Sequence, residues 1–342
     1  PSDDAFWRDR LAQAVDLRRL LAVDKVADAY RLVHAEGDGL SGLIVERYAD
    51  CLVFEVFSLG IYQRLELIKT ILSDLLGPPS ALDRPGKAGG AWRVIVRADE
   101  AIERIEGFVA RSASETDSPI VTVREHGVRY RVDMAKGQKT GFFCDQRDNR
   151  RYFGEMCRGA SVLDLCCYTG GFGLCAKKLG EADDVTCVDL DEAALVIARD
   201  NANLNNARIS FVHSDSFIYL RQMIANARQF DMVVLDPPKL ATSRPELEAA
   251  LRKYYDLNCL AMQVVRPGGM LLTCSCSGLV SHAEFVELVL RAGVRANRVI
   301  QVLRESGAAP DHPVSVECPE SGYLKAMLLR VLRRCRPKDN PA

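Results

Sequence analysis

The sequence has no apolar run that approaches the ~18 residues of a membrane-spanning helix, so we expect no contact with a membrane. Neither sign of charge dominates, because 45 basic residues stand against 46 acidic ones and leave a formal net charge of −1. This balance excludes a polycation that binds nucleic acid over its whole surface, but it does not exclude a local basic surface. An initiator methionine and a secretory signal peptide are both missing from the start at Pro1, which is consistent with a fragment or a processed form.

Metal-binding patterns are missing as well, although the chain contains 12 cysteines. Cys166 and Cys167 are adjacent, and Cys274 and Cys276 are separated by one residue, spacings that do not suit a tetrahedral metal site by themselves. None of the five histidines has metal-ligand spacing, so we expect no metal. Scattered thiols in a chain of this length are typical of a reducing compartment, and we expect a cytoplasmic protein with mostly buried cysteines.

Two domains are predicted from the change in apolar periodicity along the chain. Residues 1–118 combine short strands with amphipathic helices into a small α/β domain, and the polar run 111–118 is the expected linker. In residues 119–342, five apolar strands alternate with helices, which is typical of a doubly wound, mostly parallel α/β sheet of the Rossmann-like kind. Two final apolar stretches, 298–304 and 323–332, are expected to form an antiparallel edge hairpin that completes seven strands.

Acidic residues mark the ends of four consecutive predicted strands. They are Asp164, Asp189, Asp215 and Asp236. Because ligands bind at the carboxyl ends of parallel strands, we expect these acids to line one crevice. The turn that follows the first strand, Cys166–Gly171, lacks the GxGxxG spacing of a dinucleotide site. The acids therefore favour a ligand with amino or cationic groups and a ribose, and a helix cap is the alternative for any one of them.

This pattern resembles the class I S-adenosylmethionine-dependent methyltransferases, whose cofactor carries a sulfonium, an α-amino group and a ribose but no phosphate. The resemblance implies that Asp164 and the Cys166–Gly171 turn face the methionine and ribose parts of the cofactor. It also implies that Asp189 binds the ribose hydroxyls, and that Asp215 and Ser216 bind the adenine. The implied cofactor residues are therefore Asp164, Cys166, Tyr168, Thr169, Gly170, Gly171, Asp189, Asp215 and Ser216.

A candidate nucleophile follows the fifth strand of the same sheet. Carbon 5 of cytosine is too weakly nucleophilic to take a methyl group directly, and a thiolate that adds to carbon 6 activates it. Cys276 lies past the strand in a turn of small residues, whereas Cys274 is expected to point into the sheet. Cys276 is therefore the predicted nucleophile. A buried structural thiol is the alternative interpretation.

The segment Asp236-Pro237-Pro238-Lys239 follows the fourth strand. Its prolines restrict the backbone and fix the direction of the Asp236 carboxylate. Methyltransferases that act on exocyclic amines resemble this segment but carry an aromatic residue in the fourth position, where a flipped base stacks. Lys239 takes that position here, which disfavours methylation of an amine.

Five segments together resemble the bacterial large-subunit ribosomal RNA cytosine-5 methyltransferases. In chain order they are Lys136–Arg150, Tyr168–Phe172, Asp236–Lys239, Ser275–Gly278 and Asp311–Pro313. The resemblance implies a large-subunit ribosomal RNA partner, an RNA-recognition role for residues 1–118 and a catalytic role for residues 119–342. It also implies a covalent adduct with Cys276, which Asp236 stabilises by hydrogen bonding the N3/N4 edge of the cytosine. A sister group that methylates guanine at nitrogen 7 carries no cysteine at the position of Cys276.

Two departures from the family pattern stand beside this resemblance. Members usually begin with a small RNA-binding PUA domain, which this chain lacks, and other cytosine-5 enzymes carry a second cysteine where Lys239 stands. Guanine-N7 methylation and a cofactor-binding assembly factor without turnover are the alternative functions. The oligomeric state is left open, with a homodimer as one option.

The segment 136–151 is locally basic and contains two adjacent phenylalanines. Cationic and aromatic side chains suit an RNA strand, through phosphate contacts and base stacking respectively. The predicted substrate-binding residues are Lys139, Phe143, Arg147 and Lys239. The alternative interpretation is a solvated helix start with both phenylalanines in the core.

Overall fold

The computed structural model describes residues 4–79, 90–110, 120–134 and 142–334. Among these residues, no helix combines the length and apolarity needed to cross a membrane. The chain divides into a first unit, Pro1–Arg147 with Ala308–Gly322, and a second unit, Asp148–Gly307 with Tyr323–Ala342. The domain boundary expected at 118 falls in the polar run 111–118, which lies outside the described residues.

The first unit is built on a four-stranded sheet covered by helices. Strand order is β1-β2-β3-β4, with β1, β2 and β3 antiparallel and β4 parallel to β3. Its core includes Leu11 and Ile68 from helices packed with Phe54 of the sheet. The elements are α1 Asp4–Leu20, α2 Val23–Val26, β1 Ala29–His34, β2 Leu43–Tyr48, β3 Cys51–Val56, α3 Leu59–Tyr62, α4 Leu65–Leu76, β4 Arg93–Arg97 and α5 Glu100–Glu106.

A two-stranded hairpin, β5 Ile120–Glu125 and β6 Val128–Asp133, also belongs to the first unit. It is tied to the preceding chain by the His126 amide, which donates to the Val26 carbonyl at 2.7 Å, and by an Ala27–Glu125 bridge. These bonds explain why the unit extends beyond position 118. Buried and exposed side chains alternate along both strands as far as the half-buried Asp133, so the hairpin has one buried face, which includes Glu125, and one solvent face.

The second unit contains a seven-stranded sheet in the order β12-β13-β11-β10-β7-β8-β9. Five strands are parallel, and β13 runs antiparallel to both β11 and β12, which confirms the predicted fold class and edge hairpin. The elements are α6 Arg147–Glu155, β7 Ser161–Leu165, α7 Gly171–Lys178, β8 Asp184–Asp189, α8 Glu192–Leu204, β9 Ser210–His213, α9 Ser216–Ala225, β10 Phe230–Leu235, α10 Leu247–Val264, β11 Val265–Ser275, α11 His282–Arg295, β12 Arg298–Ser306 and β13 Lys325–Arg333.

Both faces of the central strands β7, β8 and β10 are buried, which explains their continuous apolar runs. Along β10, Val233 and Leu235 enter one core cluster, and Met232 and Val234 enter another. The chain proceeds outward from β7 through β8 to β9 and then returns to place β10 on the other side of β7. Ligands of open α/β sheets bind at such a reversal of strand order, so the carboxyl ends of β7 and β10 mark the expected crevice.

Helix α11 is an element that the sequence analysis did not predict. Its start carries a capping box, in which the Ser281 hydroxyl accepts from the Glu284 amide and the Glu284 carboxylate accepts from the Ser281 amide. A serine followed three residues later by glutamate before an apolar run is a recognisable signal for a helix start.

Candidate active site

The carboxyl ends of the central parallel strands lie in one row. Leu235 of β10 pairs with Leu165 of β7 on one side and with Thr273 of β11 on the other, and Leu165 pairs with Val188 of β8. One edge of the sheet therefore carries the residues that follow these positions, which are Cys166, Asp189, Asp236 and Cys274.

Asp164 lies two positions before Cys166, within β7, and is fully buried. Its Oδ2 accepts a hydrogen bond from the Gly173 amide at 2.9 Å, at the start of α7. Gly173 has to be a glycine, because a Cβ there would lie 2.3 Å from the Cys187 Sγ. This close approach brings the first turn of α7 against the Asp164 carboxylate.

The other carboxylate oxygen of Asp164, Oδ1, is buried and has no hydrogen-bond partner among the described residues. Burial raises the pKa of Asp164 to about 7, and the nearby charges of Asp236 and Asp189 also raise it. A buried acceptor without a donor is costly. An amino-bearing ligand would supply the missing donor, so the site fits the α-amino group of S-adenosylmethionine.

The turn between β7 and α7 is held open by three left-handed residues, Cys166, Tyr168 and Gly170, with φ of 58°, 49° and 82°. The Cys167 amide donates to the Val188 carbonyl of β8 at 3.1 Å, and the Gly170 amide donates to the Cys167 carbonyl at 2.8 Å, so the backbone of the turn is fixed. The fully buried Asn201 of α8 donates to the Thr169 carbonyl at 3.1 Å and anchors the turn from behind. Asn201 was missed by the sequence analysis because its partner lies 32 residues away.

Asp189 closes β8 with a half-buried carboxylate. Its Oδ2 accepts from the Tyr168 amide at 2.7 Å, and its Oδ1 accepts from the Asp191 amide at 2.8 Å. These bonds orient the carboxylate and leave lone pairs for ribose hydroxyls. The next residue, Leu190, is 65% exposed and offers an apolar surface beside the acid.

Asp215 is an N-cap, which is the alternative that the sequence analysis left open for each acid. It accepts from the Phe217 amide at 2.9 Å and the Ile218 amide at 3.1 Å, at the start of α9. The neighbouring Ser216 Oγ lies 3.3 Å from the Cys166 Sγ, so α9 meets the turn after β7. The cap does not prevent contact with adenine, but it accounts for Asp215 without one.

The two cysteines of β11 and its following turn have different surroundings. Cys274 is fully buried in an apolar cluster, in agreement with the expectation that it points into the sheet. Cys276 is half-buried, and its Sγ donates to the Pro237 carbonyl at 3.9 Å. The sulfur therefore contacts the segment that Asp236 begins.

Ser277 links these two segments, which we call the cysteine turn (residues 275–278) and the Asp-Pro loop (residues 236–241). The buried Ser277 Oγ accepts from the Leu240 amide and the Ala241 amide, both at 3.2 Å. The Tyr254 hydroxyl of α10 lies 3.0 Å from the same Oγ. These bonds fix the distance between the cysteine turn and the Asp-Pro loop.

Other thiols at this edge are less suited to act as nucleophiles. Burial raises the pKa of the Cys166 thiol to about 12, so it stays protonated at neutral pH. The pKa of Cys167 is also raised, first by its hydrogen bond with Cys187 and then by burial. A thiolate, not a thiol, is the attacking form, so these environments disfavour both residues.

The structure places the predicted RNA-contacting residues in different environments. Lys239 is exposed on the Asp-Pro loop, and Phe143 is half-buried in the first unit. The Arg147 guanidinium is buried and bonded to the Asp311 carboxylate at 2.8 Å. An ion pair removed from water accounts for Arg147 without a phosphate. Lys139 lies outside the described residues.

Comparison with known proteins gives a consistent result. A family model described as S-adenosylmethionine-dependent methyltransferase matches residues 90–330. A protein of Aeromonas salmonicida, ribosomal RNA large subunit methyltransferase I, is 40% identical over 331 residues, which cover 95% of this chain and 80% of that protein. The protein of the same name from Shewanella amazonensis is 38% identical over 332 residues, which cover 96% and 81%.

Solved structures resemble the chain in fold. A putative S-adenosylmethionine-dependent methyltransferase from Streptococcus mutans gives a TM-score of 0.80 at 20% identity and covers 97% of this chain and 82% of that one. The putative methyltransferase SMU.776, complexed with SAH, gives a TM-score of 0.81 with the same identity and coverage. At this identity the likeness shows the fold alone.

Proposed function

The chain belongs to the S-adenosylmethionine-dependent methyltransferases, and from that premise we propose that it methylates carbon 5 of a cytosine in large-subunit ribosomal RNA through a covalent adduct with Cys276. The contact between the Cys276 sulfur and the Pro237 carbonyl carries this proposal. It joins a thiol to the Asp-Pro loop at the edge of the sheet where the cofactor is expected. The relatives from Aeromonas salmonicida and Shewanella amazonensis are named as ribosomal RNA methyltransferases, which supports ribosomal RNA as the substrate.

The cofactor, when bound, supplies an electrophilic methyl group. Asp164 would accept from its amino group, and Asp189 from its ribose hydroxyls. The Cys276 thiolate adds to carbon 6 of the cytosine, and Asp236 accepts a hydrogen bond from the N4 amine and orients the ring. After carbon 5 is methylated, a base removes the carbon 5 proton, the bond between sulfur and carbon 6 breaks, and the thiolate is restored.

Nucleoside mass spectrometry tests the proposed reaction. Large-subunit ribosomal RNA from cells that lack the protein is incubated with the protein and cofactor, digested, and analysed for methylated nucleosides. We expect 5-methylcytidine. N7-methylguanosine would instead support the guanine alternative, and tight cofactor binding without any methylated nucleoside would support an assembly factor.

The ionisation of Asp164 predicts a pH-dependent cofactor affinity. The pKa of Asp164 is about 7 in the folded protein, against an ordinary value of 3.8. Between these two values the folded state binds a proton that the unfolded state has lost. The ligand-free protein therefore loses stability as the pH rises from 3.8 to about 7. A cationic amino group binds the carboxylate form, and affinity should therefore rise from pH 5.5 to pH 7.5. Calorimetry with S-adenosylhomocysteine measures this rise.

Asp164→Asn removes the titrating group and should bind S-adenosylhomocysteine about tenfold more weakly, since a charged hydrogen bond is lost. Its affinity should not change across the same pH range. Asp183→Asn, at an exposed acid outside the site, is the matched control and should behave as wild type. An unchanged pH dependence in Asp164→Asn would contradict the assignment of Asp164 to the cofactor.

We also propose that the solvent face of the β5–β6 hairpin contacts the RNA backbone. Arg124 and Arg129 are directly opposite each other, and Arg131 is opposite Thr122, all on the exposed face. Exposed guanidinium groups on one face of a hairpin suit contacts with successive phosphates, which supports an RNA role for the first unit.

Replacing Arg124, Arg129 and Arg131 with glutamine should weaken binding of a large-subunit RNA fragment and make it less salt-dependent. The slope of log Kd against log salt should fall by about two, because each phosphate contact to a single strand contributes about 0.7. Fluorescence anisotropy titrations at salt concentrations from roughly 50 to 200 mM measure the slope. The control replaces the exposed Arg252 and Arg291. An equal slope in both variants would exclude the hairpin from RNA binding.

A further inference from the structure

A buried lysine stands beside the cysteine turn. Lys325 begins β13, where it pairs with Ser275 at the end of β11, and it is only 6% exposed. Its Nζ donates to the Ser277 carbonyl at 2.7 Å, the Val280 carbonyl at 2.8 Å and the Tyr323 carbonyl at 2.9 Å. All three protons of the ammonium are therefore directed to backbone oxygens on or near the turn that carries Cys276.

These carbonyls satisfy the hydrogen bonds of Lys325 but do not neutralise its charge. Burying an ammonium without a counter-charge is costly, and lysine is rarely buried unless it is paired. Burial lowers the pKa of Lys325 to about 8, while Cys276 and Glu284 oppose this shift. A charge kept in such a place calls for a negative partner.

Among the described residues, the titratable groups on the elements packed around this lysine and the thiol are Glu284, Tyr254, Cys276 itself and Asp236, which begins the Asp-Pro loop and whose charge opposes the thiolate. Glu284 of α11 is exposed and already held in its capping box with Ser281, so water screens its charge. Tyr254 of α10 is bonded to Ser277, and burial raises its pKa, which keeps it neutral. Cys276 is half-buried and lies in the turn that the lysine binds. We therefore expect the thiolate of Cys276 to be the anion that interacts with the Lys325 ammonium.

We propose that Lys325 is a positioning residue for Cys276, whose ammonium holds the carbonyls of the cysteine turn and favours the thiolate of the attacking sulfur. The inference rests on the proposed function, which makes Cys276 the nucleophile. Lys325 acts in its ammonium form, and the proton that Cys276 loses passes to solvent. No bond forms to the lysine.

The pH dependence of Cys276 alkylation tests this without RNA or cofactor. The protein is treated briefly with iodoacetamide over a range of pH, and peptide mass spectrometry follows the modification of Cys276 alone. In wild type the midpoint should lie below the ordinary thiol value of about 8.5. Lys325→Met should raise it by about one pH unit, the effect expected from removing a nearby opposite charge.

Lys325→Gln separates charge from hydrogen bonding, because it keeps an amide donor and loses the ammonium. It should raise the midpoint as Lys325→Met does. Its methylation kcat near pH 7 should fall about tenfold with unchanged KM, and recover as the pH is raised, in proportion to the thiolate. The matched control is Arg330→Met, at an exposed cation of the same strand, which should change neither the midpoint nor kcat.

A merely structural role would lower activity equally at every pH and leave the alkylation midpoint unchanged, and that result would overturn the proposal. So would a wild-type midpoint at or above about 8.5, even if neither lysine variant folds. A lowered midpoint that depends on Lys325, combined with no 5-methylcytidine in the RNA, would instead contradict the proposed function and leave the charge effect standing.

Discussion

Replacing Cys276 with alanine is expected to lower methylation of cytosine by about 10⁴-fold or more, since removal of a covalent nucleophile has effects of this order or larger in other enzymes. The half-buried sulfur that contacts the Asp-Pro loop would be lost, and carbon 5 would no longer be activated. Transfer of radiolabelled methyl groups to ribosomal RNA measures the loss. Cofactor affinity should be unchanged. Cys276 follows β11, whereas the expected cofactor residues lie in or after β7, β8 and β9, on the other side of β10.

RNA that contains 5-fluorocytosine gives a second, qualitative measurement of the same prediction. Fluorine at carbon 5 cannot leave as the proton does, so the adduct persists and migrates as a protein–RNA band. Wild type should form this band and Cys276→Ala should not. The matched control is Cys274→Ala, which removes a buried thiol two residues away and should retain the band. An adduct that persists without Cys276 would falsify the assignment.

The regular part of the second unit was predictable because each signal is local. Apolar runs bounded by turns define strands such as Phe230–Leu235, and a residue at the end of a parallel strand lies at the ligand edge whatever the rest of the fold does. For the same reason Cys276 could be separated from Cys274: one follows the strand and the other lies within it.

The interactions that hold the candidate site together were not predictable, because each joins distant parts of the chain. Tyr254 reaches Ser277 across 23 residues, and Lys325 reaches the same residue across 48. Nothing in the neighbouring sequence of Lys325 indicates a buried ammonium, since a lysine at the start of an apolar strand is ordinarily exposed. Only the pairing of β13 with β11 brings that lysine to the cysteine turn.

The acids at the strand ends share one sequence pattern but differ in how far the protein itself satisfies their hydrogen bonds. Asp215 caps a helix, and Asp189 accepts from two backbone amides, so neither needs a ligand to explain its position. Asp164 differs, because one of its oxygens is buried without a partner among the described residues. The strongest physical support for the cofactor site therefore comes from an unsatisfied atom, which sequence alone does not reveal.

Asp236→Asn should reduce kcat by about 10²–10³-fold, the cost of removing one polar contact to the reacting group in a preorganised site. The amide keeps the shape of the side chain but presents an NH₂ group towards the cytosine amine in one orientation and a weaker acceptor in the other. Single-turnover methylation at saturating RNA and cofactor measures the change. Formation of the 5-fluorocytosine adduct should slow by a similar factor.

A second effect of the same variant links the substrate side to the cofactor side. The charge of Asp236 contributes to the raised pKa of Asp164, after the larger effect of burial. Removing that charge should let Asp164 ionise at lower pH, so the rise in S-adenosylhomocysteine affinity should move to lower pH.

The control is Asp231→Asn at the other end of β10, where the carboxylate accepts from the Ser161 amide and hydroxyl at 2.9 Å each. It should cost stability and leave kcat intact, because its bonds lie at the opposite edge of the sheet. If Asp236→Asn formed the adduct at the wild-type rate, the carboxylate would have no role in orienting the base.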